Sequence, residues 1–205
     1  MDLSASTPRL RREQVAGMNI HYIMWSLDYF LDAQQRLSFK TIELWAAEPH
    51  VTLDHTGYFE ADELRRKIES RGLSVSSLCP ENVVYPWQYA ARKPLHAQRS
   101  LAYFKHGIEL AEVLGAPYMS INSGWGDWDE DREEAWKRSA EHLAILADYA
   151  GEHGVTLCME SLRPEESNLV VTLADARRML DQVASPHLTP MVDTTAMGVA
   201  GESLE

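Results

Sequence analysis

Six short apolar runs punctuate this chain, and a stretch with helical spacing follows nearly every one. The runs are MNIHYIMW (18–25), TIELW (41–45), LSVSSLC (73–79), PYMSINSG (117–124), VTLCMES (155–161) and LTPMVDTT (188–195). Between them lie helical candidates at 26–37, 60–72, 95–114, 130–153 and 172–183. Gly72, Gly115 and Gly154 stand where the second, third and fourth should stop. Ser26 or Asp28 opens the first, and Thr172 caps the fifth with Asp175 as a box-like partner. Strands separated by helices cannot pair as hairpins, so this rhythm dictates a parallel sheet with crossover helices.

Two parallel architectures compete. A doubly wound sheet usually carries a glycine-rich phosphate loop after its first strand. The corresponding turn here, MWSLDYF, has no glycine. A (β/α)8 barrel instead gathers its chemistry at the C-terminal strand ends. Glu43, Glu81, Asn122, Glu160 and Asp193 all fall at or near such ends, which favours an α/β chain of the TIM-barrel type. Eight units typically take about 250 residues, and this sequence of 205 supplies six. The expectation is therefore an arm over 1–17 and a barrel over 18–205 that stops after its sixth strand.

Composition narrows the function. Nineteen Lys and Arg face 31 Asp and Glu, a net charge of -12. Such a chain is a poor partner for nucleic acid or an anionic membrane. No apolar run approaches the roughly 20 residues that span a bilayer. Arg9, Arg11 and Arg12 are not followed by an apolar segment of signal-peptide type. Cys79 and Cys158 lie in separate apolar runs without metal or redox spacing. Together these point to a cytoplasmic protein with reduced thiols.

The candidate chemistry starts with two acids. Glu160 ends the fifth run and Asp193 the sixth, on neighbouring strands about 4.8 Å apart. A divalent cation would relieve their repulsion; without one, a carboxyl group should have a raised pKa. Each could instead cap a helix, and Asp193 before TTAMG suits that role. Glu166 and Asn168, in RPEESN, could meet hydroxyl groups or simply form a polar loop. Glu43 shares a strand face with Trp45 and could equally pair with a cation at the rim. The loop PENVVYPW places Glu81, Asn82, Tyr85 and Trp87 together, a mix that suits a sugar face or a self-packed loop. Trp25, at the end of the first run, joins Glu43, Glu81, Asn122, Glu166 and Asn168 as candidate substrate contacts. His50 and His55 could reach the mouth, whereas His21 reads as a core position inside the first strand.

The sequence MNIHYIMW, TIELW, CPENVVYPW, CMESLRPEESNLV and PMVDTT, in that order, resembles the sugar phosphate isomerase/epimerase group of xylose-isomerase-like barrels. Within that group it is most similar to the fructoselysine 3-epimerases and, more distantly, the ketose 3-epimerases. The resemblance runs from about residue 18 to the end, and TIELW, common across the superfamily, contributes least to it. It implies a divalent metal (Mn, Co, Mg or Zn) held by a glutamate after the fifth strand and an aspartate after the sixth. It also implies a histidine and a second glutamate after the seventh and eighth. By motif, the first two carry over onto Glu160 and Asp193, and the substrate glutamate six residues after the first ligand onto Glu166. The other two ligands have no counterpart up to Glu205, so the chain as given is expected to be inactive or crippled. Ala196 stands where ketose 3-epimerases tend to have a histidine, a departure from that subgroup.

The implied chemistry is proton abstraction next to a carbonyl, with Glu160 as the catalytic base and the cation stabilising an enediolate. The implied partner is a small sugar or sugar derivative, with a homodimer possible. Two other readings stay open: a non-catalytic binder derived from the barrel, and a metal nuclease related to the family 2 apurinic endonucleases. The nuclease reading needs a basic groove and histidines at strand ends, and the charge of -12 opposes it.

Overall fold

The computed structural model describes residues 10–83 and 86–203. Residues 1–9 of the expected arm and Tyr85 of the PENVVYPW loop lie outside the described residues. Eight strands are present among the described residues: β1 (Gly17–Met18), β2 (Thr41–Ala46), β3 (Leu53–Asp54), β4 (Gly57–Tyr58), β5 (Ser74–Pro80), β6 (Tyr118–Ile121), β7 (Thr156–Glu160) and β8 (Leu188–Met191). The helices are α1 (Leu27–Arg36), α2 (Ala61–Glu69), α3 (Pro94–Leu114), α4 (Arg132–Glu152), α5 (Leu173–Val183) and α6 (Thr194–Ala200). Six strands form one sheet in the order β1-β2-β5-β6-β7-β8. Every pair in it is parallel. The sequence rhythm had no sign of the β3–β4 hairpin, which sits in the loop after β2 and packs on α3.

The helix boundaries follow local chemistry. Ser26 accepts a hydrogen bond from the Tyr29 amide at the start of α1 (3.2 Å), and Thr172 accepts one from Asp175 at the start of α5 (3.0 Å). Asp131 caps α4 through the Glu133 amide (2.9 Å). Gly115 ends α3 with φ +68°, a left-handed conformation that a side chain would strain.

The two-residue period of the strands sorts their side chains. Ile42, Leu44, Leu78, Met119, Ile121, Leu157 and Met159 are buried in one core with Phe30, Phe104, Ile108, Trp136 and Leu143 of the helices. The intervening residues, including Glu43, Cys158 and Glu160, turn to the opposite face of the sheet. Chain direction then places the ends of β7 and β8, with Glu160 and Asp193, at one rim.

The first run departs from expectation. Strand pairing stops at Met18, and residues Asn19–Tyr22 form a 3-10 turn. Asn19 explains the break. Its buried side chain accepts from the Trp45 amide (2.7 Å) and donates to the Trp45 carbonyl (3.0 Å), so an amide side chain replaces the next rung of the ladder with β2. Residues 21–25 are thereby released from the sheet. His21 is exposed rather than a core position, and Met24 is 85% exposed. His50 braces the same corner, meeting Asn19 Nδ2 (3.0 Å) through Nδ1 and the Trp25 carbonyl (2.8 Å) through Nε2.

Replacing Asn19 by Ala would leave the Trp45 amide and carbonyl buried without partners. The expected result is a loss of about 1–3 kcal/mol, read from the urea midpoint; an unchanged midpoint would remove Asn19 from this role.

Candidate active site

Glu160 is the last residue of β7, partly buried, and accepts no hydrogen bond among the described residues. Its carboxyl group is pushed up to about 7, first by burial, then by the like charges of Asp193, Glu43 and Glu166. Four carboxyl groups named from the sequence therefore meet in one electrostatic neighbourhood. Glu43 contributes from β2, three strand steps away, and burial raises its own carboxyl above the usual range. Two free thiols share this region, Cys79 on the intervening strand β5 and Cys158 on β7 two residues before Glu160. Burial lifts Cys158 to about 11, with Glu43 adding to the shift. It lifts Cys79 to about 12, and Glu43, Glu160 and Glu81 add to the shift after burial. Protonated thiols of this kind are filler beside the acids, not nucleophiles.

Asp193 plays the capping role that its sequence context allowed. Its Oδ1 accepts from the amides of Thr195 (2.6 Å) and Ala196 (3.2 Å) at the start of α6. Both bonds use one oxygen, which fixes the side chain and leaves Oδ2 without a hydrogen bond among the described residues. Glu166 is held differently. Arg163 donates to it from its guanidinium and from its backbone amide (3.1 Å). That pairing, chiefly the guanidinium, keeps the Glu166 carboxyl below the ordinary carboxylate range. Arg163 was missed in the sequence, although its spacing of three from Glu166 was a visible signal.

The remaining candidates divide. Glu81 accepts from the Trp45 indole (3.0 Å) and the Val83 amide (3.2 Å), so it anchors the loop after β5 and stays half-buried at the rim. Asn122 donates to Asn82, at its carbonyl (2.7 Å) and its side chain, and accepts from the Gly124 amide (2.7 Å). Asn168 donates to the Gly126 carbonyl and accepts from the Gly126 amide, both at 2.8 Å. Both amides are hydrogen-bonded to neighbouring loops and shape the mouth. Trp25 is 51% exposed, stacks on Tyr29 and lines a cavity with residues of the first unit alone; none of the four acids lines that cavity. Ser123 and Ser167 add a tie that the sequence did not signal: the Ser167 hydroxyl donates to the Gly124 carbonyl (2.7 Å) and accepts from the Leu169 amide (3.1 Å).

The residues present fit a hard divalent cation as two of its ligands. Glu160 and Asp193 both offer oxygen atoms free of hydrogen bonds, the donor chemistry of Mg²⁺ and Mn²⁺ sites. Among the described residues no group of three or more His, Cys, Asp or Glu is placed to hold a metal ion.

Residues 31–203 match the family model described as a xylose isomerase-like TIM barrel. The chain belongs to the xylose isomerase-like TIM barrel family. Among its relatives, a fructoselysine 3-epimerase from Shigella flexneri is 29% identical over 173 residues, covering 84% of this chain and 62% of the relative. The chain thus spans under two thirds of that protein's length. Among solved structures, L-ribulose 3-epimerase superposes with a TM-score of 0.76 at 23% identity, covering 90% of this chain and 62% of its own. An IolI protein with a bound zinc atom gives 0.74 at 17%, covering 92% and 65%. The family fold accounts for the position of Glu160, Asp193 and Glu166, which follow β7 and β8 at the rim where a barrel of this family carries its βα loops; Glu43, expected near a strand end, sits instead inside β2.

A pH dependence follows. Between about pH 4.5 and 7 the folded chain holds a proton at Glu160 that the unfolded chain has released, so stability falls across that window as pH rises. In metal-free buffer Glu160→Gln should match the parent below pH 4.5 and exceed it by roughly 3 kcal/mol above pH 7. Paired urea titrations at pH 4 and pH 8 measure this, and equal differences at both would refute the assignment.

Proposed function

We propose that the protein is a metal-dependent sugar isomerase or epimerase that works by proton abstraction next to a carbonyl. The observation that carries this reading is the gathering of Glu160, Asp193 and Glu166 at the C-terminal ends of β7 and β8, with Glu43 of β2 within their electrostatic reach. Burial and like charge raise the Glu160 carboxyl in the metal-free chain, and a bound cation would offset that repulsion and favour the ionised form that acts as a base.

The residues divide the work by environment. Glu160, unbonded and partly buried, is the group that takes the proton from carbon and returns it. Asp193 is locked at Oδ1 by α6, so its Oδ2 is presented in a fixed direction. Glu160 and Asp193 would hold the divalent cation, which supplies Lewis-acid stabilisation of negative charge developing on the substrate oxygens. Glu166, held ionised by Arg163, accepts hydrogen bonds from sugar hydroxyls. Burial raises the Glu43 carboxyl above the usual range, and its charge acts on Glu160 from β2. Exclusion of water rests on the loops that Asn122, Asn168 and Ser167 bind together. Return of the proton to the neighbouring carbon gives an isomer; return to the same carbon from the opposite side gives an epimer and needs a second acid. The names of the relatives, fructoselysine 3-epimerase and L-ribulose 3-epimerase, support a ketose or a fructosamine as substrate. The zinc in the IolI structure supports the metal.

The test uses the full gene product in D2O with Mn²⁺ and a panel of ketoses and fructosamines, followed by proton NMR. Deuterium should enter at a carbon beside the carbonyl. Glu160→Gln should slow entry by roughly 100- to 10,000-fold and weaken Mn²⁺ binding. No exchange into any sugar, together with unchanged Mn²⁺ binding by the variant, would overturn the reading.

A further inference from the structure

A second cavity, of about 460 Å³, opens between the loop after β5 and the loop after β6. Its size falls in the range of small-molecule sites. None of Glu43, Glu160, Glu166 or Asp193 lines it. Its walls carry Arg92, Lys93, His96 and Arg99 on one side and Trp125, Asp127 and Glu130 on the other.

The charges in it do not cancel. Glu130 is only 7% exposed and is taken up by Arg138 (2.6 Å), by Arg92 (3.8 Å) and by the Asp127 amide (2.8 Å). Asp127 lies 3.8 Å from Arg92, and Asp129, just outside, lies 3.6 Å from it. The local acids are thus directed at Arg92 and Arg138. Lys93, His96 and Arg99 have no ion pair or hydrogen-bonded side-chain partner among the described residues. They recur at a spacing of three, so they share one face at the start of α3. Like charges so placed repel, and no acidic residue occupies the first turn of that helix to offset them. A chain with 31 acidic residues has left these basic groups unanswered beside a concave wall.

We infer that this cavity is a binding site for a small organic phosphate. Its phosphate would lie on Lys93, His96 and Arg99, and its organic part against Trp125 and Pro86. Two permanent cations and an imidazole suit a dianion with several acceptor oxygens better than a carboxylate. The far wall is rigid on its own account. Gln88, itself buried, donates to the Trp125 carbonyl, and its Oε1 accepts from the Ala90 amide (3.0 Å), so one side chain sets the separation of the two loops. Nothing in this inference depends on the sugar chemistry at Glu160, because the site shares no residue with the four acids.

Calorimetry on the 205-residue chain at low salt tests it with three probes: phenyl phosphate, inorganic phosphate and benzoate. Phenyl phosphate should bind saturably, inorganic phosphate more weakly, and benzoate at least roughly fivefold more weakly than phenyl phosphate. Lys93→Gln/Arg99→Gln should weaken phenyl phosphate at least roughly tenfold. Both residues are exposed, so circular dichroism should show the fold intact. Arg177→Gln, on the exposed face of α5, should change nothing. The inference fails if no probe saturates below about 20 mM, if benzoate equals phenyl phosphate, or if the double variant binds as the parent does.

Discussion

Everything at the candidate site depends on the burial of one face of the parallel sheet. Ile42, Leu44, Leu78, Met119, Ile121, Leu157 and Met159 enter the core under α3 and α4, and the favourable transfer of that much apolar surface fixes which way each strand faces. Because side chains alternate, the same choice commits Glu43, Cys158 and Glu160 to the opposite face. A one-residue slip of β7 would exchange Glu160 with Met159 and cost the core a buried side chain. The packing of the hydrophobic residues is thus what concentrates the acids, and their mutual repulsion is a consequence of the fold rather than a local accident.

Around this frame the loops are tied to each other more than to the strands. Asn82 to Asn122, Gln88 to Trp125, Ser167 to Gly124 and Asn168 to Gly126 link three successive βα loops. Each bond joins side chain to backbone or to another amide, which suits segments whose own backbone groups have no ladder to enter. The result is a mouth whose loops are joined to one another by neutral side-chain hydrogen bonds.

The sequence made the strand-helix alternation, the parallel sheet and the glycine stops of α2, α3 and α4 readable, because each is a local pattern. The pairing of Glu160 with Asp193 was also legible, since adjacent strand ends in a parallel sheet must share a rim. Other features were hidden for physical reasons. Asn19 gives no local sign that its side chain will imitate a strand rung 26 residues away. The loop ties of Asn122 and Asn168 were hidden because an amide that ties a loop and an amide that binds a hydroxyl have the same composition. The basic cavity joins residues 92–99 to residues 125–130, a meeting that only the packing of two loops creates.

The central claim is that burial and like charge hold Glu160 near neutrality. Carbon-13 NMR titration of its side-chain carboxyl, assigned by comparison with Glu160→Gln in metal-free buffer, measures this directly. A midpoint near pH 7 that moves down in Glu43→Gln is the predicted result. A midpoint near 4.5, unmoved by that substitution, would contradict the account.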